Sequence, residues 1–335
     1  MRALPLLLAL ALPLSLSAQD KKQPMPAPER DDGSAGMGAH VPADKDTILR
    51  VQIFLDGELF TPGKVDGVLG EFSYKAVVNW NYANGNKDIY DWRPVIRAAE
   101  AKVPVTLADY TVREDMQAYI NPELPEDPKT WQNYKAMLYR SMDELVAERF
   151  HTDETFLQLV NPGLNTTKLQ PGDVVKVPAV KPFKIEVVKQ YQGFKEDAVL
   201  SRHTVVIDTT ERMGAVYDEK EIMIAAFPIT PGKPQFIPHG QWKIVNMTTT
   251  PDFRYDKKFL EEGQRGTEAM HIPPGPNSPV GIFWAGLSKS GIGLHGTASP
   301  RTIGRAQSAG CVRFANWDAI RLPTLVRPGS PVIVK

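Results

Sequence analysis

The stretch HGTASPRTIGRAQSAGCVR, residues 295–313, holds the residues that decide the chemistry and the fold of the C-terminal half. It contains Cys311, the only cysteine of the 335 residues, and His295 upstream of it. A thiol and an imidazole are the minimum pair for nucleophilic catalysis, because the imidazole removes the thiol proton and the thiolate attacks a carbonyl. Gly310 precedes the cysteine, where a sharp turn would direct backbone N–H groups at a developing oxyanion. The pattern predicts a cysteine-dependent active site, with a buried and inert thiol as the alternative.

The order of these residues resembles the signature of the L,D-transpeptidase family, which reads HG, a variable run and then S-x-G-C-[IV]-R. Here the two parts are His295-Gly296-Thr297 and Ser308-Ala309-Gly310-Cys311-Val312-Arg313. Further family-like segments precede them, namely FPITPGKP (227–234), IPHG (237–240) and PPGPNSPVGIFWAGL (273–287). The resemblance covers roughly residues 184–335. Many members carry a second histidine after the motif serine, whereas this chain has Ala309, which leaves His295 as the only motif base.

The resemblance implies a role for each motif residue. Cys311 would be the nucleophile and His295 the base, with its other ring nitrogen held by the carbonyl of Gly296 instead of a carboxylate. The backbone N–H groups of Gly310 and Cys311 would bind the oxyanion. The residues predicted to contact substrate are Arg313, Ser308, Thr297, His271 and His239. Anchoring of the loop is an equal alternative for Arg313.

The implied substrate is peptidoglycan. Cys311 would attack the carbonyl between the third residue of a stem peptide and its terminal D-Ala, releasing D-Ala and leaving a thioester. An amine of another stem peptide, or a protein lysine such as that of a lipoprotein, would resolve the thioester. Water as acceptor would give an L,D-carboxypeptidase. A catalytically silent scaffold that binds the cell wall is the second alternative.

No cofactor or metal is expected. A zinc site built from His239, His271, His295 and Cys311 is the rival interpretation, since histidine and cysteine are the usual zinc ligands. Structural zinc sites usually use two or more cysteines at short spacing, and this sequence has one.

Charge and composition exclude some classes of partner. Lysine plus arginine and aspartate plus glutamate both number 39, so the formal net charge is zero and neither nucleic acid nor an anionic membrane surface is indicated. A single cysteine excludes a disulfide within the chain.

The N-terminus predicts export to the cell wall. Residues 1–18 have a positive start, an apolar run and small residues before Ala18, as in a secretory signal peptide. A membrane anchor is the alternative, but the run is shorter than the ~20 apolar residues that a span needs. Residues 19–45 are rich in proline, glycine and charge and predict a flexible linker. The mature protein is expected in the periplasm or another extracytoplasmic compartment, without a membrane span.

Residues 46–94 predict a small helical domain. Asp46 or Thr47 would cap the first helix and Ser73 the second. The segment from Asp66 to Val77 resembles the motif of the three-helix peptidoglycan-binding domain, and a helical spacer is the alternative. Residues 95–130 predict a connector, with VPVTL (103–107) as a candidate strand.

Residues 131–180 resemble the lysin-motif glycan-binding module, with a structural spacer as the alternative. Ser141 and Glu144 form a capping box, and Asp153 would cap the following helix. NPGLN (161–165) would end that helix, and a turn would lead into a strand from Val174 to Val177. His151, between the helices, is predicted to be an exposed loop residue.

Residues 184–335 alternate with period two and predict the catalytic domain. The candidate strands are 184–190, 203–208, 213–217, 221–228, 241–246, 282–285, 291–295 and 331–334. The predicted fold class is multidomain α+β, with a mainly-β, sandwich-like or barrel-like catalytic domain behind small helical and α/β wall-binding modules. The insertion 248–280 predicts a lid or substrate wall. This modular interpretation also predicts that residues 184–335 alone retain chemistry.

Overall fold

The structure, a computed structural model, describes most of the chain after the predicted signal peptide. The described ranges are 38–233, 236–237, 239–256, 258, 262, 264, 266–267, 269–305 and 310–335. All of them belong to one compact unit. Within these ranges, no helix combines the length and the apolar character that crossing a membrane requires. The predicted signal peptide and most of the predicted linker lie outside the described residues.

Most helices precede the large sheet. They are α1 (Lys45–Gly57), α2 (Glu71–Ala83), α3 (Arg93–Lys102), α4 (Pro128–Trp131), α5 (Met142–Arg149), α6 (Glu154–Val160) and α7 (Asn316–Ala319). Short 3₁₀ turns lie at Glu114–Tyr119, Thr166–Lys168, Ile185–Val187, Leu200–Arg202, Pro300–Thr302 and Leu322–Thr324.

The strands of the N-terminal part are β1 (Leu107–Thr111) and β2 (Val174–Pro178). The C-terminal strands are β3 (Tyr191–Gln192), β4 (Thr204–Asp208), β5 (Met213–Tyr217), β6 (Met223–Pro228), β7 (Gly240–Thr249), β8 (Phe253–Tyr255), β9 (Met270–Ile272), β10 (Phe283–Leu287), β11 (Gly293–His295), β12 (Val312–Arg313) and β13 (Pro331–Val334).

One mixed sheet organises the C-terminal half. Its order among the described residues is β12-β11-β10-β7-β13-β4-β5-β6, with β3 paired to β7. Most neighbours are antiparallel, whereas β4–β13 and β11–β12 are parallel. The predicted α+β class is confirmed, and the sheet curls into a half-barrel. Of the two predicted shapes, the barrel-like one therefore describes the domain better than a sandwich of two sheets.

The predicted strand at 184–190 is wrong. Residues Ile185–Val187 form a 3₁₀ turn, and Ile185 is buried in the core beside the N-terminal helices. The other predicted strands of this domain are present, with ends shifted by at most three residues.

The N-terminal helices differ from prediction at their caps. Asp44, not Asp46 or Thr47, caps α1 and accepts from the Thr47 backbone N–H at 2.8 Å. Gly70 precedes α2 without a side-chain cap, and Ser73 instead accepts from Gln52 Nε2 at 3.0 Å inside the domain. A buried hydrogen bond thus takes the place of the predicted cap.

Two helices and a two-stranded sheet form the next part of the chain. The predicted strand at 103–107 is wrong in place, because β1 begins at Leu107 and pairs antiparallel with β2. Ser141 and Asp153 cap α5 and α6 as predicted, accepting from the backbone N–H of Glu144 and Phe156. The partner strand of β1 lies beyond α5 and α6, so the sequence around β1 does not indicate the pairing.

A continuous buried cluster joins these parts to the large sheet. It contains Val51 and Leu55 of α1, Val146 of α5, and Ala315 and Trp317 at the start of α7. The parts named in the sequence therefore share this cluster, while a second buried cluster that includes Val205, Phe283 and Val332 belongs to the large sheet.

His151 contradicts its prediction as an exposed loop residue. It is 2% exposed, its Nδ1 lies 3.0 Å from both carboxylate oxygens of Asp56, and its ring stacks on Trp317. Arg321 pairs with the same Asp56 carboxylate at 2.9 Å. The buried Asp56 carboxylate is satisfied by His151 and Arg321. The three residues come from separate segments of the chain, so local sequence cannot reveal their contact.

The insertion 248–280 contains the hairpin-like pair β8 and β9, which pack against the predicted connector. Phe253 and Ile272 form a small apolar cluster with Leu124 and Met137. Leu124 of the predicted connector thus helps to support the insertion.

Candidate active site

Strand pairing brings the predicted thiol and imidazole to one edge of the sheet. Strands β11 and β12 are parallel, with Leu294 opposite Val312 and His295 opposite Arg313. Side chains two residues apart share a face of a strand. Cys311, which directly precedes β12 and lies two residues before Arg313, is therefore on the same face of the sheet as His295.

His295 is held as a neutral imidazole in one tautomer. Its ring is buried, and Nδ1 donates to the carbonyl oxygen of Gly296 at 2.6 Å, as the resemblance implied. The proton on Nδ1 leaves Nε2 as the acceptor. Trp284, the partner of His295 across β10 and β11, stacks on the ring with centroids 5.6 Å apart. Burial, together with the nearby Arg313 charge, lowers the pKa of His295 to about 3.

The Cys311 thiol faces the backbone of the segment that leads into β11. Its Sγ donates to the carbonyl oxygen of Gly291 at 3.6 Å. Burial raises the pKa of Cys311 to about 11, while the Gly293 N–H and Arg313 act in the opposite direction. At neutral pH the thiol of Cys311 is therefore protonated and the imidazole of His295 is uncharged.

Gly310 has the backbone geometry that a turn before a nucleophile requires. Its φ is 124°, a conformation that side chains other than hydrogen rarely allow. The opposing Gly232 lies so close that a Cβ there would come within 2.4 Å of the Gly310 Cα. Two glycines thus let the 231–233 segment support the turn that presents Cys311.

Arg313 is a half-buried cation beside the thiol and the imidazole. Its backbone pairs with Thr230 through two hydrogen bonds of 2.9 Å. Its Nε is buried without a hydrogen-bond partner, and within the described ranges no carboxylate pairs with its guanidinium. The cation is thus placed to receive an anionic group of a substrate.

Asn316, which the sequence analysis missed, organises the backbone around His295. It is completely buried, and its Oδ1 accepts from the N–H of Thr297 at 3.1 Å and of Ile282 at 3.3 Å. Its Nδ2 donates to Glu148 Oε1 at 3.1 Å and to the carbonyl oxygen of Pro276. A buried amide with every group paired is a rigid connector.

The glycines beside His295 make room for this amide. A Cβ on Gly296 would come within 2.2 Å of Asn316 Oδ1, and a Cβ on Gly281 within 2.0 Å of the same atom. The HG dipeptide therefore has a steric cause in this structure, which is the close approach of Asn316.

The carboxyl group that receives Asn316 belongs to α5. Glu148 is buried and also accepts from the Tyr139 hydroxyl at 2.7 Å. Burial raises the pKa of Glu148 to about 8, and the pKa of Tyr139 lies well above its usual value, so the phenol remains a donor.

The remaining predicted contact residues lie on the loop after His295, before β7 and on β9. Thr297 is buried, and its hydroxyl accepts from the Ser299 N–H at 3.2 Å, so it serves the loop. His239 is exposed just before β7. His271, on β9, is exposed and lies 3.7 Å from Asp252. Ser308 and Ala309 lie outside the described residues.

The rival zinc interpretation gains no support from the described part of the chain. It contains no group of three or more His, Cys, Asp or Glu side chains placed to hold a metal ion. His271 lies on the insertion, whereas His295 is on the large sheet.

Some of the missed residues had a weak signal in the sequence. Asn316 is a polar residue directly after Phe314 and Ala315, and Trp284 lies between the apolar residues Phe283 and Ala285 of its strand. Glu148 had none, because it lies 168 positions before its partner Asn316 in the sequence.

Comparison with known proteins agrees with this geometry. Residues 202–334 match the family model described as YkuD, the L,D-transpeptidase catalytic domain. This part of the chain is therefore an L,D-transpeptidase catalytic domain, and the family resemblance is confirmed there. The match does not extend to the two predicted wall-binding modules, which stay predictions.

Individual relatives show how far the similarity reaches. The YkuD protein of Bacillus licheniformis, provisionally named an L,D-transpeptidase, is 27% identical over 192 residues, which are 57% of this chain and 92% of the relative. YkuD of Bacillus subtilis is 44% identical over 92 residues, 28% of this chain and 48% of the relative. The crystal structure of L,D-transpeptidase 3 from Mycobacterium tuberculosis is 14% identical with a TM-score of 0.33, covering 50% of this chain and 76% of that chain.

Proposed function

We propose that this protein is a peptidoglycan L,D-transpeptidase in which Cys311 is the nucleophile and His295 the general base. The observation that carries the proposal is the fixed tautomer of His295, whose Nδ1 is held by Gly296 at 2.6 Å on the strand next to Cys311. The catalytic-domain match over residues 202–334 supports the substrate class. This domain acts on cell-wall material outside the cytoplasm.

The chemistry begins with one proton transfer. His295 Nε2 takes the Cys311 thiol proton while sulfur attacks the carbonyl between the third residue of a stem peptide and its terminal D-Ala. The backbone N–H groups at Gly310 and Cys311 stabilise the oxyanion. Collapse of the intermediate breaks the peptide bond, His295 returns the proton to the D-Ala amine, and a thioester remains on Cys311.

An amine completes the reaction. It attacks the thioester carbonyl, His295 removes its proton, and the proton passes to the departing Cys311 sulfur, which restores the thiol. The acceptor is the side-chain amine of a second stem peptide or a lysine of a protein. Water in the same place yields the carboxypeptidase product.

Arg313 gives the site a means to recognise its donor. A stem peptide that ends in D-Ala carries a free carboxylate next to the bond that breaks. The half-buried Arg313 guanidinium, whose charge lowers the pKa of both His295 and Cys311, would pair with that carboxylate.

The preceding segments are proposed to bind peptidoglycan. The alignment with the Bacillus licheniformis relative spans 192 residues, more than residues 202–334 can supply, so the similarity extends upstream of the catalytic domain. The β1–α5–α6–β2 arrangement supports a lysin-motif-like module. Retention of the full chain on insoluble peptidoglycan tests this, and a chain that stays in solution would make the modules spacers.

Mass spectrometry of the purified chain tests the main proposal. Incubation with disaccharide-tetrapeptide should give a mass increase on Cys311, loss of D-Ala and a cross-linked dimer. Cys311→Ala should abolish all three, and His295→Ala should slow them by a factor on the order of 10³ or more. A monomeric tripeptide product without dimer would indicate the carboxypeptidase. No adduct and no product would leave the silent scaffold.

A further inference from the structure

One peptide group connects His295 to a carboxyl group outside the catalytic domain. The carbonyl of the Gly296–Thr297 peptide accepts from His295 Nδ1 at 2.6 Å, and the N–H of the same peptide donates to Asn316 Oδ1 at 3.1 Å. Asn316 Nδ2 in turn donates to Glu148 at 3.1 Å and 3.3 Å. The chain of hydrogen bonds ends at Glu148, which also accepts from Tyr139.

Every hydrogen bond between His295 and Glu148 runs in the same direction. Each donor lies on the histidine side and each acceptor on the glutamate side, so the peptide and the amide polarise each other. A carboxyl oxygen that accepts from Asn316 Nδ2, whether the carboxyl group is protonated or ionised, makes Asn316 Oδ1 and then the Gly296 carbonyl better acceptors. The imidazole is thereby oriented, and its Nε2 becomes more basic.

We propose that Glu148 is a positioning residue for His295, acting through Asn316 and the Gly296–Thr297 peptide. The inference rests on the proposed function, because it assigns His295 as the base. It adds a residue from α5, which lies before the segment matched by the catalytic-domain model. In a conventional triad a carboxyl group bonds the histidine directly. Here one peptide group and one side-chain amide lie between the carboxyl group and the histidine.

Burial and close packing fix the residues of this series of hydrogen bonds in place. Asn316 and His295 are both buried, at 0% and 4% exposure, and Glu148 is 6% exposed. Glycine at 281 and 296 is required by the position of Asn316 Oδ1, since side chains there would collide with it. In contrast, Glu144 on the same helix accepts from Asn277 Nδ2 at 3.0 Å and from the Arg140 N–H. It takes no part in the hydrogen bonds that lead to the Gly296–Thr297 peptide.

Glu148→Leu in the full chain tests the proposal, because leucine fills the space and removes both acceptor oxygens. The rate of Cys311 acylation by a carbapenem, followed by intact mass, should fall on the order of tenfold or more. Glu148→Gln keeps an acceptor oxygen and should restore most of the rate. Glu144→Leu is the matched control and should change the rate by less than about twofold.

Alkylation of Cys311 by iodoacetamide separates positioning from general damage. Alkylation needs the thiolate but no proton transfer to His295 in the step, so its rate should be the same in Glu148→Leu and the wild type. If both reactions slow together, or if Glu148→Leu acylates like the wild type, Glu148 has no positioning role. A wild type without any acyl adduct would instead overturn the proposed function.

A second pair of substitutions, which exchanges the hydrogen-bond donor and acceptor between positions 316 and 148, tests the proposal even if Glu148→Leu does not fold. Asn316→Asp retains the acceptor for Thr297 but removes the Nδ2 donor to Glu148 and to the Pro276 carbonyl, so acylation should fall at least tenfold. Adding Glu148→Gln supplies an amide that can donate to the introduced carboxylate, and the rate should recover. Equal rates in the single and double variants would contradict the coupling.

Discussion

Phe72 of α2 lies against Gly304, in the loop between His295 and Cys311, so closely that a Cβ on Gly304 would come within 2.2 Å of the ring. The Gly304 N–H donates to Thr230 Oγ1, and its carbonyl accepts from Arg212 Nη1, both at 2.9 Å. Arg212 also pairs with Glu71, the residue before Phe72. The N-terminal helical part therefore holds the loop that leads to Cys311.

Gly304→Ala should destabilise the protein and slow the acylation of Cys311. The residue has a φ of 74°, and the added methyl group would also collide with Phe72, so the free energy of unfolding should fall by about 2–4 kcal/mol. Urea denaturation measures this. Gly85→Ala is a matched control, because Gly85 has a φ of 68° with nothing within 4 Å of a Cβ.

Removal of the ring should relieve only part of the Gly304→Ala defect. In a Gly304→Ala, Phe72→Ala variant the collision is absent but the unfavourable φ remains. Equal stability of the Gly304→Ala and Gly85→Ala variants would mean that the ring moves aside without cost, and the contact would then have no role in holding the loop.

The sequence was sufficient where the structure depends on local patterns. The strands around Val205, Ala215 and Val332 follow apolar alternation, and the caps at Ser141 and Asp153 follow from side-chain hydrogen bonds within one turn. The link from His295 to Gly296 followed from the family resemblance and is confirmed.

Residues whose role depends on distant segments could not be predicted in this way. His151 reads as a loop residue, yet it is buried because Asp56 and Trp317 arrive from other parts of the chain. Glu148 reads as an ordinary polar helix residue, yet it meets Asn316 far along the sequence. Such contacts appear only once the segments share a core.

Residues 184–335 alone should be less stable than the modular interpretation of the sequence suggests. Ala315, Trp317 and Ile303 pack in the same buried cluster as Leu55 and Val146, which the truncation removes. Exposed apolar surface should lower the melting temperature and the solubility. Calorimetry of the full chain and of the fragment checks this, and equal melting temperatures would show that the catalytic domain has a sufficient core of its own.

Asp56→Asn should cost about 3–5 kcal/mol of unfolding free energy at neutral pH, because it removes one of the two buried carboxylates, Asp56 and Asp318, that pair with Arg321. The Asp56 carboxylate is 1% exposed and accepts from both Arg321 and His151. These partners hold the pKa of Asp56 well below its usual value.

Asp46→Asn is the control for this change. Asp46 lies on the same helix, pairs with Arg50 and is 60% exposed, so the loss should stay below about 1 kcal/mol. Denaturant titration of both variants compares them directly. Similar small losses would mean that the buried network is balanced by the cost of burying its charges.

The pH dependence of Cys311 should differ between two kinds of reagent. Alkylation by iodoacetamide uses the thiolate, and with a pKa of about 11 its fraction rises about tenfold per pH unit from pH 6 to 9 without levelling off. Carbapenem acylation can use the thiol with neutral His295 as base, and the His295 pKa of about 3 keeps the imidazole uncharged over this range. Its rate should therefore change by far less than tenfold per unit.

Intact-protein mass spectrometry of samples quenched at successive times across pH 6–9 measures both reactions on the same protein. His295→Ala should leave the alkylation profile in place, because burial and not the imidazole sets the thiol pKa, and should remove the shallow acylation profile. An alkylation rate that is already high at pH 6 and flat above it would instead reveal a thiolate–imidazolium pair. In that case proton transfer would precede attack on the substrate, and His295 would act as a counter-ion to the sulfur before it acts as an acid.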